Sequence, residues 1–127
     1  MLKILVVDDS ETVRLKIIQI IKEMGHSVLE AGNGVEGLEV LTKNPDIHLC
    51  ICDINMPEMD GLTMVSEIRK KESDLKDLPF FMCTTEASKS YKDRAKSLGV
   101  RGWLQKPFKP SQVTHLINFM EKELEAA

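Results

Sequence analysis

Aromatic residues are scarce in this chain of 127 residues, with one Trp, one Tyr and four Phe making up 5% of it. Lys and Arg number 17 against 20 Asp and Glu, and no basic run is interleaved with rings. A nucleic-acid surface needs clustered positive charge, and usually aromatics to stack on bases, so direct nucleic-acid binding is not expected. No long apolar run exists either: the opening stretch Met1–Val7 is cut short by Asp8 and Asp9. That is too short for a signal peptide or a membrane span, and a cytoplasmic protein without membrane insertion is expected. Cysteines are few and odd in number, Cys50, Cys52 and Cys83, each inside an apolar run. The C-x-C spacing lacks the two-residue gap of common metal and redox motifs and no His completes a ligand set there, so buried reduced thiols are expected. Linkers rich in Pro, Gly or Ser, internal repeats and low-complexity tracts are absent as well. The length suits one hydrophobic core, and a single domain over residues 1–127 with no appended module is expected.

What the chain does have is alternation. Short apolar runs at Leu2–Val7, Ser27–Ala31, His48–Cys52, Leu78–Thr84 and Arg101–Gln105 read as buried strands. Amphipathic stretches separate them. After Ser10, a plausible N-cap, the residues Val13, Ile17, Ile20, Ile21 and Met24 recur at helical spacing, and Gly25 supplies a left-handed stop. Further helices are expected at about Val35–Lys43, Leu62–Glu72, Lys89–Leu98 before Gly99, and Ser111–Leu124 with Val113, Ile117, Met120 and Leu124 inward. The count is (βα)5, the pattern of an α/β doubly wound, flavodoxin-like parallel sheet of five strands.

In such a sheet functional groups gather beyond the carboxyl ends of the strands, where the strand order reverses. The residues at those ends are Asp8 and Asp9, Asp53, Thr84 and Lys106. With strand order 2-1-3-4-5, Asp8, Asp9 and Asp53 converge on one pocket. Three clustered carboxylates repel, and either their pKa values rise or a cation joins them. Oxygen ligands alone favour Mg²⁺, with Mn²⁺ as a substitute, over zinc. Lys106 adds a positive charge and Thr84 a hydroxyl, so the set suits a phosphoryl group attacked in line by Asp53. An acyl phosphate formed there is hydrolysable and therefore transient.

The segments I-L-V-V-D-D-S at 4–10, D-I-N-M-P-E-M-D-G at 53–61, L-P-F-F-M-C-T-T-E-A at 78–87 and G-W-L-Q-K-P-F at 102–108 resemble the response-regulator receiver family over nearly the whole chain. Within it, T-T-E followed by G-W-L-Q-K-P-F most resembles the CheY-type single-domain chemotaxis regulators. The resemblance implies a two-component switch: a histidine kinase phosphorylates Asp53, and the metal is held by Asp8, Asp9, Asp53 and the backbone carbonyl of Asn55. It also implies that Thr84 is the switch hydroxyl, that Lys106 binds the phosphate, and that Trp103 stands where the family has a mobile aromatic, often Tyr or Phe. Asn55 and Glu86 match residues that influence how water reaches the phosphoryl group, and the bond before Pro107 is expected to be cis. Thr85 is bulkier than the Ala common in the family. The implied partners are the kinase, a target such as the flagellar motor switch, and a phosphatase, reached through the helix at 89–98, the fifth strand and the last helix.

An alternative with the same chemistry is a phosphorelay intermediate or phosphate sink passing the group between histidine proteins, with a partner docking beside Val13, Arg14 and Ile17. A remote alternative is an aspartate-nucleophile phosphatase, a true enzyme. Such enzymes need a second carboxylate two residues after the nucleophile, and Asn55 stands there. The expected role is accordingly a phosphoacceptor that catalyses only its own phosphorylation and dephosphorylation. His26, His48 and His115 are scattered and take no expected part, and Glu121, Glu123 and Glu125 read as a solvated face.

Overall fold

In the computed structural model, which describes residues 1–86 and 88–126, strands and helices alternate along the whole chain. The strands are β1 (Lys3–Val7), β2 (Ser27–Ala31), β3 (Leu49–Cys52), β4 (Phe80–Thr84) and β5 (Gly102–Gln105). The helices are α1 (Glu11–Glu23), α2 (Gly34–Lys43), α3 (Gly61–Lys70), α4 (Lys89–Ser97) and α5 (Pro110–Ala126). All strand pairings are parallel and the order is β2-β1-β3-β4-β5, as the alternation led one to expect.

Side chains alternate across the pleat, and each face of the sheet has its own core. Leu5, Val7, Cys50, Cys52, Phe80 and Met82 pack with Leu41 of α2, with Leu62, Met64, Val65 and Ile68 of α3 and with Ala95 of α4. Ile4, Val6, Leu49, Ile51, Phe81, Cys83 and Leu104 pack with Ile17, Ile18 and Ile21 of α1 and Val113, Ile117 and Met120 of α5. With both faces covered, the strands are nearly continuous in apolar residues, which is why they stand out in the sequence.

Helix starts follow local chemistry. Ser10, Asn33, Asp60 and Ser88 each accept the N–H three residues on, at Val13, Glu36, Thr63 and Tyr91. Gly25 and Gly99, at φ 86° and 74°, take the left-handed conformation after α1 and α4.

Most boundaries differ from the expected ones by one or two residues, and two of the shifts, with one change in a buried face, have a visible reason. β4 begins at Phe80 instead of Leu78, because Pro79 has no N–H for the ladder and the Leu78 amide bonds to Leu75 O at 3.0 Å. α3 ends at Lys70, two residues early. There Arg69 reaches over the following loop and donates to the carbonyls of Lys76, Leu78 and Leu98, each at 2.8 Å, with its guanidinium 5.2 Å from the Phe80 ring centre. On α1 it is Ile18 that is buried, while Ile20 and Met24 are half-buried at the helix edge.

Gly61, the first residue of α3, lies under the end of β3. A Cβ added there would stand 2.0 Å from the carbonyl oxygen of Asp53 and 2.9 Å from Cys52 Sγ. Gly61→Ala is expected to lower stability in urea unfolding by about 1–3 kcal/mol or more, the cost of overpacking, since backbone must move. Gly25→Ala, with no atom within 4 Å of its Cβ, should cost only the conformational penalty of about 1 kcal/mol.

Candidate functional site

β1 and β3 are hydrogen-bonded neighbours with Val7 opposite Cys52, so the residues that follow them, Asp8 and Asp53, emerge side by side. The Asp53 amide donates to Val7 O at 2.9 Å, extending the ladder to the acid itself. Asp8, Asp9 and Asp53 each offer a carboxylate oxygen, all within 4.8 Å of one another. Asp8 and Asp53 are buried, at 1% and 6% exposure, while Asp9 faces solvent.

Each buried carboxylate is held at both oxygens. Asp8 accepts from the Ser10 amide at 2.8 Å and from Lys106 Nζ at 2.8 Å. Asp53 accepts from the Ile54 amide at 2.7 Å and from Lys106 Nζ at 3.0 Å. Lys106 is brought there by β5, its own amide donating to Thr84 O at 2.9 Å, and the bond to Pro107 is cis as expected.

Three ionised carboxylates against one ammonium leave an excess of two negative charges. That charge and an all-oxygen donor set fit a small hard divalent cation. Burial pushes the Asp8 carboxyl above its ordinary 3.8, and the bonds from Lys106 and Ser10 offset only part of this. Burial disfavours the Lys106 ammonium too, but its bonds to Asp8 and Asp53 outweigh that and its pKa is raised.

The other expected residues lie around this centre. Asn55 Nδ2 donates to Glu86 Oε1 at 2.9 Å, joining the loops after β3 and β4 by an exposed bridge. Thr84 is fully buried, and its hydroxyl accepts the Glu86 amide at 3.2 Å instead of bonding to Asp53 or Lys106. Trp103 is half-buried among the residues on the α4 side of the sheet, with Lys92 Nζ 5.9 Å from its ring centre. Its indole Nε1 is buried and has no hydrogen-bond partner among the described residues. In the loop after Asp53, Glu58 takes φ 70°, a conformation costing about 1–2 kcal/mol for a residue with a side chain. Ala87, within the segment that resembles the family, lies outside the described residues.

The three cysteines are free and buried, as expected, and burial lifts the thiols of Cys50 and Cys52 and that of Cys83, the last to about 12. His26 and His48 have a structural use that the sequence does not announce: their Nδ1 atoms accept the amides of Leu2 and Lys3, both at 2.9 Å. Also unsignalled is Arg14, half-buried beside Asp8, whereas Val13 is half-buried and Ile17 fully buried. Glu121 faces His26 at 3.8 Å and Glu123 pairs with Arg101, so these acids are tied to neighbouring elements and not merely solvated.

A parallel sheet in this order, with paired acids after β1, a third after β3 and a lysine after β5, defines a receiver domain. The chain belongs to the response-regulator receiver family, whose Response regulator receiver domain model matches residues 4–118. It is a phosphorylation-activated component of two-component signalling. Among its relatives, the Chemotaxis protein CheY homolog of Campylobacter jejuni is 46% identical over 110 residues, 86% of this chain and 84% of that protein. The Chemotaxis protein CheY1 of Helicobacter pylori is 44% identical over 110 residues, 86% of this chain and 88% of that protein. The structure of Vibrio cholerae chemotaxis protein CheY4 matches with a TM-score of 0.87 at 35% identity, covering 94% of this chain and 98% of that one. None of the described helices is long and apolar enough to cross a membrane.

The raised pKa of Asp8 has a definite sign. A carboxyl that is harder to ionise when folded contributes stability at acid pH, below 3.8, which is lost as pH rises through the folded value. Without divalent cation, Asp8→Asn is therefore expected to gain stability relative to the parent chain from acid to neutral pH in parallel urea titrations. Added Mg²⁺ should reverse the trend by stabilising the parent alone.

Proposed function

We propose that Asp53 is the phosphoacceptor, with a cation held by Asp8, Asp9, Asp53 and the Asn55 carbonyl. The observation that carries this reading is Lys106 bonded to both Asp8 and Asp53 inside a cluster of three carboxylates. A carboxylate oxygen of Asp53 attacks the phosphorus of a phosphohistidine; the P–O bond forms as the P–N bond breaks, and the imidazole nitrogen leaves and takes a proton. When bound, Mg²⁺ or Mn²⁺ neutralises phosphoryl oxygens during this transfer. Lys106 follows the new negative charge, and Thr84 exchanges its bond with the Glu86 amide for one to the phosphoryl oxygen. Asp53 is both nucleophile and substrate, so the chain acts only on itself.

The donor is a histidine kinase in the cytoplasm. The output is chemotaxis, through a separate target such as the flagellar motor switch that meets α4, β5 and α5, with a phosphatase resetting the signal. Relatives named for chemotaxis and matched over 84% and 88% of their length support this. Trp103 supplies the coupling. An unpaired buried N–H costs about 1–3 kcal/mol, so an orientation that satisfies the indole competes well once Thr84 moves.

A second reading, phosphoryl relay between histidine proteins, is favoured by one feature. A groove of about 630 Å³ is lined by Val13, Lys16 and Ile20 of α1 and by Lys106, Pro107 and Phe108. Transfer of phosphate from Asp53 to a histidine phosphotransfer protein in a purified mixture would select it over the motor switch.

Beryllofluoride, which mimics an acyl phosphate, is expected to change Trp103 fluorescence in the presence of Mg²⁺, and Asp53→Asn to abolish the change. An unaltered response in the variant puts the acceptor elsewhere, and a flat response in the parent removes Trp103 from the switch. Glu86→Ala, which frees Asn55, should shorten the lifetime of the phosphorylated protein several-fold by opening a path for water, measured by loss of radiolabelled phosphate.

A further inference from the structure

The turn that carries Asp8 and Asp9 is gripped from behind by a side chain with no part in the chemistry above. Arg14 leaves α1 with its side chain only 17% exposed. Its Nη1 donates to the backbone carbonyl of Asp8 at 2.7 Å, and its Nε donates to Glu30 Oε1 at 2.7 Å. Glu30 lies on β2 next to Ala31, whose carbonyl accepts the Asp8 amide at 3.1 Å. The guanidinium is thus anchored between α1 and β2, and its planar fork presents one N–H in a fixed direction.

That direction matters because of what the Asp8 carbonyl belongs to. It is part of the rigid peptide plane joining Asp8 to Asp9, whose orientation sets where the Asp9 side chain begins. The Asp8 carboxylate is already fixed by Ser10 and Lys106. Asp9 is exposed, so its placement rests on the backbone beneath it. Mutual repulsion pushes its carboxylate away from those of Asp8 and Asp53.

We infer that Arg14 is a positioning residue for the divalent cation: it holds the Asp8–Asp9 peptide plane so that both acids stay in reach of Asp53 before any ion arrives. The inference rests on the cation-site reading of the preceding subsection. Its sign is distinctive. Through charge alone a guanidinium beside the site opposes a cation, so its removal would tighten binding. Through position, removal weakens binding.

The test is calorimetric titration of Mg²⁺ into the full chain and into Arg14→Met, Arg14→Lys and Glu30→Gln, with circular dichroism and urea unfolding of each. Arg14→Met is expected to bind Mg²⁺ about tenfold or more weakly, as when outer partners of metal ligands are lost, while its helical signal is unchanged. Arg14→Lys keeps the charge but not the two-point hold, and should stay weak. Glu30→Gln, which leaves a neutral acceptor for Nε, should weaken binding less. Affinity equal to or tighter than the parent's in both Arg14 variants overturns the inference. If Arg14→Met fails to fold, unchanged affinity in Arg14→Lys and Glu30→Gln overturns it equally. A parent chain that binds no Mg²⁺ overturns the cation-site reading itself, and the inference with it.

Discussion

Like charges held together against their repulsion are the constraint on which this molecule is organised. Asp8 and Asp53 leave adjacent strands in register and are almost wholly removed from water. Such a pair is tolerable only with compensation, which comes from Lys106 at the far end of the sequence and from the amides of Ser10 and Ile54. The remaining negative charge makes the site receptive to a cation, and an added group that changes this balance of charge changes which contacts are favoured. A switch needs both properties: a resting state that is well defined, and one that a single added group can rearrange.

The sheet connects that site to the surface. β5 carries Trp103 and is followed at once by Lys106, and it pairs with β4, where Thr84 lies opposite Gln105. The Lys106 amide bonds to the Thr84 carbonyl, so the lysine and the threonine share a backbone link as well as a neighbourhood. Between them, the two cores keep the strands from yielding: β3 is buried at every position and β4 likewise. The α4 edge is less enclosed: there Trp103 is half-buried and its indole nitrogen unpaired among the described residues.

The parts readable from the sequence were those with a period or a position. Buried parallel strands are apolar at nearly every residue, so Ile4–Val7, Leu49–Cys52 and Phe80–Thr84 stand out, and the residues after them mark the site without further information. Caps such as Ser10 are local and equally visible. What stayed hidden depends on side chains reaching backbone carbonyls far along the chain, which leaves no spacing to detect. Arg14 on the Asp8 carbonyl, and Arg69 on those of Lys76, Leu78 and Leu98, are surface-type residues by composition and become structural only in the fold. The resting partner of Thr84 was hidden for a different reason: a strand-end hydroxyl has several acceptors and donors in reach, and only the turn to Glu86 decides among them.

The histidines at the start of the sheet have a consequence for reactivity. With Nδ1 of His26 and His48 occupied by the amides of Leu2 and Lys3, each ring must carry its hydrogen on Nε2 and has no free lone pair. His115, exposed on α5, is under no such restriction. An acylating reagent that attacks unprotonated imidazole therefore distinguishes them by chemistry and not by accessibility alone: His48 is exposed yet shielded. The ratio of its labelling to that of His115 is a direct gauge of how often the first strand of this protein opens.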